Sequence, residues 1–128
     1  KDEFKKLRSK NIRILPWQSS LKKNFLKSDL FILPSYYEGL PNVLIEAVNF
    51  GIPSISSDCS GAKDILLNGR GGFIFPNGNL EKLKKKISFV ISNYDYSIKK
   101  TLVAKKYSQR FSVSNCKYFY EIINEEFK

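Results

Sequence analysis

The 128-residue chain has no histidine at all. That removes the commonest general base and the commonest metal ligand, so proton transfer through imidazole and His-rich metal sites are excluded. It has only two cysteines, Cys59 and Cys116, far apart and matching no metal-ligand spacing. They read as free thiols in a reducing cytoplasm, a bridge between them being the other reading. No apolar run reaches the length of a membrane span, and no signal peptide stands at the start. There is no G-x-G-x-x-G, which argues against a dinucleotide-binding Rossmann unit. Repeats, linkers and low-complexity stretches are missing as well. Acidic residues are few, 12 against 22 basic ones, which leaves a net charge of +10.

What is present is apolar patterning of globular type, 42% hydrophobic, with enough length for one domain over residues 1–128. The most informative stretch is Leu30 to Ser57. Leu30–Leu33 is a short apolar run, suited to a strand buried on both faces and stopped by Pro34. Pro41 stands where a helix can begin, because its missing N–H is one that a first turn leaves unpaired. Gly51 and Pro53 mark the stop, and Ile52–Ser57 reads as the next strand. Strand, helix and strand form a βαβ unit. Along its helix Asn42, Glu46 and Asn49 recur at i, i+4, i+7 as one narrow polar seam, while nearly everything else is apolar. Such a helix is expected to be buried, and a buried Glu46 needs a partner. Glu38 lies in the turn before the helix, at the carboxyl end of a strand, where open parallel sheets bind ligands. The free N–H groups of the helix start favour phosphate.

The remaining elements follow the same alternation. Ile12–Leu15 is predicted as a strand, and a helix is predicted from Ser19 or Ser20 to about Ser28, with Leu21 and Phe25 inward. A short helix is expected over Ala62–Leu67, and a strand over Phe73–Phe75 closed by Pro76-Asn77-Gly78. Asn79 is expected to cap an amphipathic helix carrying Leu80, Leu83, Ile87, Val90 and Ile91 on one face. Ser97 is expected to cap another helix, reaching about Arg110. Lys1–Lys10 reads as the tail of a helix, and a last helix is expected from about Ser112. The fold class is therefore α/β, a parallel Rossmann-like sheet of about four strands flanked by helices.

The segment EGLPNVLIE, Glu38 to Glu46, resembles the E-x7-E motif of retaining glycosyltransferases of the GT-B fold, family 4 (glycosyltransferase group 1). The flanking PSYYEGLPNVLIEAVNFGIPSISSD is similar to that family's PS..EG.P...EA...G.PV..S pattern. The resemblance implies a nucleotide-sugar donor, UDP- or GDP-linked, with no metal or other cofactor. It implies Glu38 beside the donor sugar as the catalytic carboxylate and Glu46 on the ribose. Gly39 and Leu40 would stand at the diphosphate, with Asn42 beside them. It also implies a carboxy-terminal donor domain without its first strands or an acceptor domain, inactive alone, whose acceptor half lies elsewhere. The acceptor would be a glycan or a lipid-linked sugar of polysaccharide or lipopolysaccharide type. SGAKDI, Ser60 to Ile65, is similar to the family's GG..E segment, with serine for one glycine and Asp64 for glutamate. PWQSS, Pro16 to Ser20, falls where the family places a loop near the base.

Simpler readings stand beside these. Glu46 in an ion pair with a lysine, Glu38 as a solvated turn residue, Asn42 as a helix cap, Ser35 as a turn former and Trp17 packed on the surface are each ordinary roles. The positive charge gathers in Lys82–Lys86 and Lys99–Arg110. A solvated helix face explains part of it but not its one sign. An anionic membrane surface, with the protein peripheral on its inner face, is the favoured partner, and nucleic acid the less favoured one. The competing function class is a non-catalytic basic α/β module that binds one or the other.

Overall fold

The computed structural model describes residues 11–111. The expected helix over Lys1–Lys10 and the one from Ser112 lie outside the described residues.

Three short strands, β1 (Phe31–Leu33), β2 (Ser54–Ser57) and β3 (Phe73–Phe75), form a parallel sheet in the order β1-β2-β3. Phe31 and Leu33 align with Ser54 and Ser56, and Ile55 and Ser57 with Phe73 and Phe75. The helices are α1 (Lys22–Phe25), α2 (Asn42–Asn49), α3 (Ser60–Ile65), α4 (Leu80–Ser92) and α5 (Tyr94–Ser108). Because side chains alternate along a strand, the sheet has two apolar faces. One carries Phe31, Leu33 and Ile74, packed against α2, α3 and α5 through Leu44, Val48, Ala62, Ile65 and Ala104. The other carries Ile32, Ile55, Phe73 and Phe75 under Leu83, Ile87 and Val90 of α4. α1 lies on α2, with Phe25 against Ala47 and Ile52.

The expected fourth strand does not form. Asn11 to Gln18 has no regular structure, and Ile12, Ile14 and Leu15 are largely exposed. A three- or four-residue apolar run becomes a strand only when it pairs with a neighbour, and among the described residues the sheet ends at β1.

The central βαβ unit forms as its punctuation dictates. Pro41, extended at φ −73° and ψ 91°, caps α2, and Gly51 ends it in the left-handed region at φ +77°. Asn79 caps α4, its side chain accepting from the Lys82 N–H at 2.9 Å. Only the middle of the apolar stripe on α4 is covered, and Leu80 and Ile91 remain exposed. α5 begins at Tyr94 rather than at Ser97. Ser97 lies buried inside the helix, where its hydroxyl donates to the Asn93 carbonyl, and Thr101 donates likewise to Ser97, both at 2.9 Å. Self-satisfied hydroxyls and Ala104 give α5 a buried face of small residues. That face admits Gly71, where an added Cβ would meet the Ala104 Cβ at 2.5 Å.

Candidate functional site

Three loops converge at the carboxyl ends of the strands, and side-chain hydrogen bonds stitch them together. The first runs from Pro34 to Pro41, between β1 and α2. In it the Ser35 hydroxyl donates to Glu38 Oε1 at 2.9 Å, so the carboxylate is half-buried and held in place. From β2, the buried Ser57 hydroxyl donates to the Ser35 carbonyl, and Ser56 donates to the Leu33 carbonyl at 3.3 Å. In the second loop Asp58 Oδ1 accepts from the Asn77 N–H of the third at 3.0 Å. The Asn77 side chain donates in turn to the Tyr36 carbonyl at 2.8 Å. No buried side-chain polar atom among the described residues lacks a partner.

The start of α3 props the first loop. The Gly61 N–H donates to the Glu38 carbonyl at 3.3 Å. A Cβ at Gly61 would stand 2.0 Å from the Gly39 carbonyl oxygen and 2.9 Å from Pro41 Cδ. Only glycine lets the two backbones approach so closely. The SGAKDI segment therefore supports the loop that precedes α2.

The structure places the candidate residues as follows. Glu38 is fixed by Ser35 and is no free solvated turn residue. Gly39 and Leu40 are exposed, with nothing within 4 Å of a Cβ built on Gly39. Asn42 is the first residue of α2 and the cap is Pro41, so the capping role expected of Asn42 falls away. Glu46 is exposed rather than buried, and forms no ion pair among the described residues. The seam of Asn42, Glu46 and Asn49 is real, but it is the open face of α2; only Asn49 is engaged, accepting from Ser108 of α5 at 2.6 Å. Trp17 is 87% exposed, so the packed reading of it fails. Cys59 is a buried free thiol, whereas Cys116 lies outside the described residues.

Ser57, Asp58, Gly61 and Asn77 were not candidates from the sequence. Their partners stand some twenty or more residues away in the chain, beyond the reach of local patterns. The available signals were the SGAKDI resemblance, which holds Gly61, the turn at Pro76-Asn77-Gly78, and the serine-rich Ser54–Ser57, too polar for a central strand unless its hydroxyls have fixed partners.

Beside this site Pro34, Tyr36, Phe75, Gly78, Leu80 and Leu83 line a pocket of about 250 Å³. Among the described residues, no group of three or more His, Cys, Asp or Glu side chains could hold a metal ion. Likewise, no described helix is long and apolar enough to cross a membrane.

A parallel sheet with helices on both faces and three loops gathered at the carboxyl ends of its strands is an open α/β architecture. The chain belongs to the glycosyl transferases group 1 family, whose model matches residues 2–110. It is 36% identical over 78 residues to a lipopolysaccharide 1,6-galactosyltransferase of Salmonella typhimurium, covering 60% of this chain and 21% of that protein. Over 72 residues it is 31% identical to a UDP-Gal:alpha-D-GlcNAc-diphosphoundecaprenol alpha-1,3-galactosyltransferase of Escherichia coli, covering 56% of this chain and 19% of that one. The matched stretch is thus about a fifth of the length of these relatives. The structure is similar to sucrose-phosphate synthase from Thermosynechococcus elongatus, with a TM-score of 0.76 at 19% identity, covering 84% of this chain and 27% of that one. The fold is of the GT-B type.

Proposed function

We propose that this chain is the donor-binding part of a retaining hexosyltransferase, holding a UDP- or GDP-linked sugar at the carboxyl ends of β1 and β2. The sugar would pass to a glycan or lipid-linked acceptor in polysaccharide or lipopolysaccharide-type biosynthesis. The observation that carries the reading is the Ser35–Glu38 bond. It fixes a carboxylate one turn before the start of α2, next to the exposed Gly39 and Leu40, with open space where a Cβ of Gly39 would stand. On this reading Glu38 stands beside the sugar, where positive charge develops as the diphosphate leaves. The amides of Gly39 and Leu40 and the start of α2, with Asn42, meet the diphosphate. Glu46, exposed one turn further along, accepts from the ribose hydroxyls. The exposure of Glu46 supports this role, since a carboxylate already engaged in an internal ion pair could not take it. The names of the two galactosyltransferases support the donor and acceptor classes.

The acceptor site then lies in residues outside this chain, and the chain alone should bind nucleotide weakly, at about millimolar Kd. Without an acceptor held in line, transfer forfeits an orientation advantage that reaches roughly 7–11 kcal/mol. The test is turnover and nucleotide titration in the enzyme reconstituted with its acceptor part. Glu38→Gln should lower kcat with little change in nucleotide Kd. Glu46→Gln should weaken nucleotide binding about 10- to 100-fold, the loss of a charged hydrogen bond of roughly 1.5–3 kcal/mol. Near-normal turnover by Glu38→Gln would remove that residue from the sugar, and robust transfer by the chain alone would overturn its role as a donor-binding part only.

A further inference from the structure

The outer surface of α4 and α5 is not an ordinary solvated face. α5 has its polarity reversed: Ser97, Thr101, Ala104 and Ser108 are buried, while Tyr96, Leu102 and Val103 are 54%, 52% and 50% exposed. A helix that merely faced water would show the opposite arrangement. The exposed apolar side chains are interleaved with cations. Tyr96, Lys99, Val103 and Lys106 recur at i, i+3, i+7, i+10 and so share one side of α5. On α4, Lys82, Lys85 and Phe89 recur at i, i+3, i+7. The Phe89 and Tyr96 rings meet edge to face at 6.2 Å, which joins the two rows into one surface. Its lysines form no ion pair among the described residues; of the two acids on α4 and α5, Glu81 is paired to Lys84 at 2.9 Å on the neighbouring row, and Asp95, exposed in the first turn of α5, is a single negative charge against Lys82, Lys85, Lys99 and Lys106.

We infer that this face of α4 and α5 is a peripheral docking surface for an anionic lipid bilayer. Charge complementarity selects the occupant. A protein partner would need a matching acidic patch, and nucleic acid does not call for the exposed aliphatic Leu102 and Val103 between the cations, whereas an anionic bilayer takes up both. Lysines over the headgroups, with aromatic and aliphatic side chains between them at the acyl boundary, are what an interfacial helix uses. None of the side chains in this contact belongs to the loops around Glu38, so it holds whether or not donor binding is as proposed.

The experiment is sedimentation of the full chain with vesicles of three parts phosphatidylcholine to one part phosphatidylglycerol, beside pure phosphatidylcholine vesicles and a short oligonucleotide. Binding is expected to the anionic vesicles alone, falling steeply as salt rises. Neutralising Lys85, Lys99 and Lys106 to Gln should weaken it about fivefold per lysine, roughly a hundredfold together. Leu102→Ser with Val103→Ser should weaken it severalfold with the lysines intact. All these side chains are exposed, and an unchanged circular-dichroism melt verifies that the variants fold. The proposal is overturned by equal binding to neutral vesicles, by no binding at all, by tighter binding to the oligonucleotide, or by unchanged binding of either variant. Loss of nucleotide affinity plays no part in this readout.

Discussion

Replacing Gly61 with alanine puts a single methyl group where the structure has no room for one. The new Cβ would stand 2.0 Å from the Gly39 carbonyl oxygen, 2.7 Å from its carbon and 2.9 Å from Pro41 Cδ, against a floor near 3.0 Å for such contacts. The obstacle is backbone and a proline ring, neither of which can swing aside. The Glu38–Pro41 turn must therefore retreat by about 1 Å or α3 must back out of the core, where Ala62 and Ile65 are fully buried. Overpacking of this kind costs about 1–3 kcal/mol. That is on the order of 5 °C of Tm per kcal/mol in a chain of this size. The same shift pulls Glu38 and the Gly39 amide off the proposed donor, and 1 Å at a reacting centre costs about a hundredfold in turnover. Thermal melts and nucleotide titration of Gly61→Ala, with turnover of the enzyme reconstituted with its acceptor part, check both effects, with Gly39→Ala as the control for the melts alone. Gly39 has nothing within 4 Å of a Cβ, so its variant should melt with the wild type. A Gly61→Ala protein that melts and binds nucleotide like the wild type would refute the view that α3 holds this turn in place.

Two further outcomes follow from burial and charge. Leu44→Ala, at a fully buried site on α2 between the sheet and α5, should lose about 2–5 kcal/mol in denaturant unfolding, since the cavity is walled by rigid elements. Lys100 sits 4.7 Å over the Phe73 ring, yet burial first and the Lys86 charge second hold its pKa below the usual lysine value. A lowered folded pKa means that the unfolded chain binds the proton more tightly, so this group destabilises the fold while charged. Its contribution should improve as pH rises through the lowered pKa toward the unfolded value. In melts over that alkaline range, Lys100→Met should show a flatter rise in stability than the wild type.

The central βαβ unit was legible in the sequence because its signals are local: a proline that opens α2, a glycine at positive φ that closes it, and apolar runs on either side. The Glu38–Glu46 spacing was legible for the same reason. What failed depended on partners. Ile12–Leu15 has the composition of a strand but no ladder to join. Periodicity placed Asn42, Glu46 and Asn49 correctly on one face, yet it could not tell that the face is open, so Glu46 was expected to be buried. Ser97 was expected at a helix end because serine caps helices, whereas Asn93 starts α5 one turn earlier and turns Ser97 inward. The stitching of the loops by Ser57, Asp58 and Asn77 joins residues that only the folded sheet brings together.

That stitching has a temporal consequence. During synthesis Glu38 and Asn42 emerge before the residues that order their surroundings: the Tyr36 carbonyl waits for Asn77, 41 residues further on, and Asn49 waits for Ser108, 59 residues on. An eight-residue helix is marginal on its own, so α2 is secured only once those distant partners have arrived. A nascent chain halted between Asn49 and Asn77 would carry both glutamates of the motif and still present no ordered pocket rim. On the proposed function, nucleotide affinity would therefore report completion of the fold rather than the presence of the motif, and a nucleotide pulse applied to stalled chains of increasing length would date that completion residue by residue.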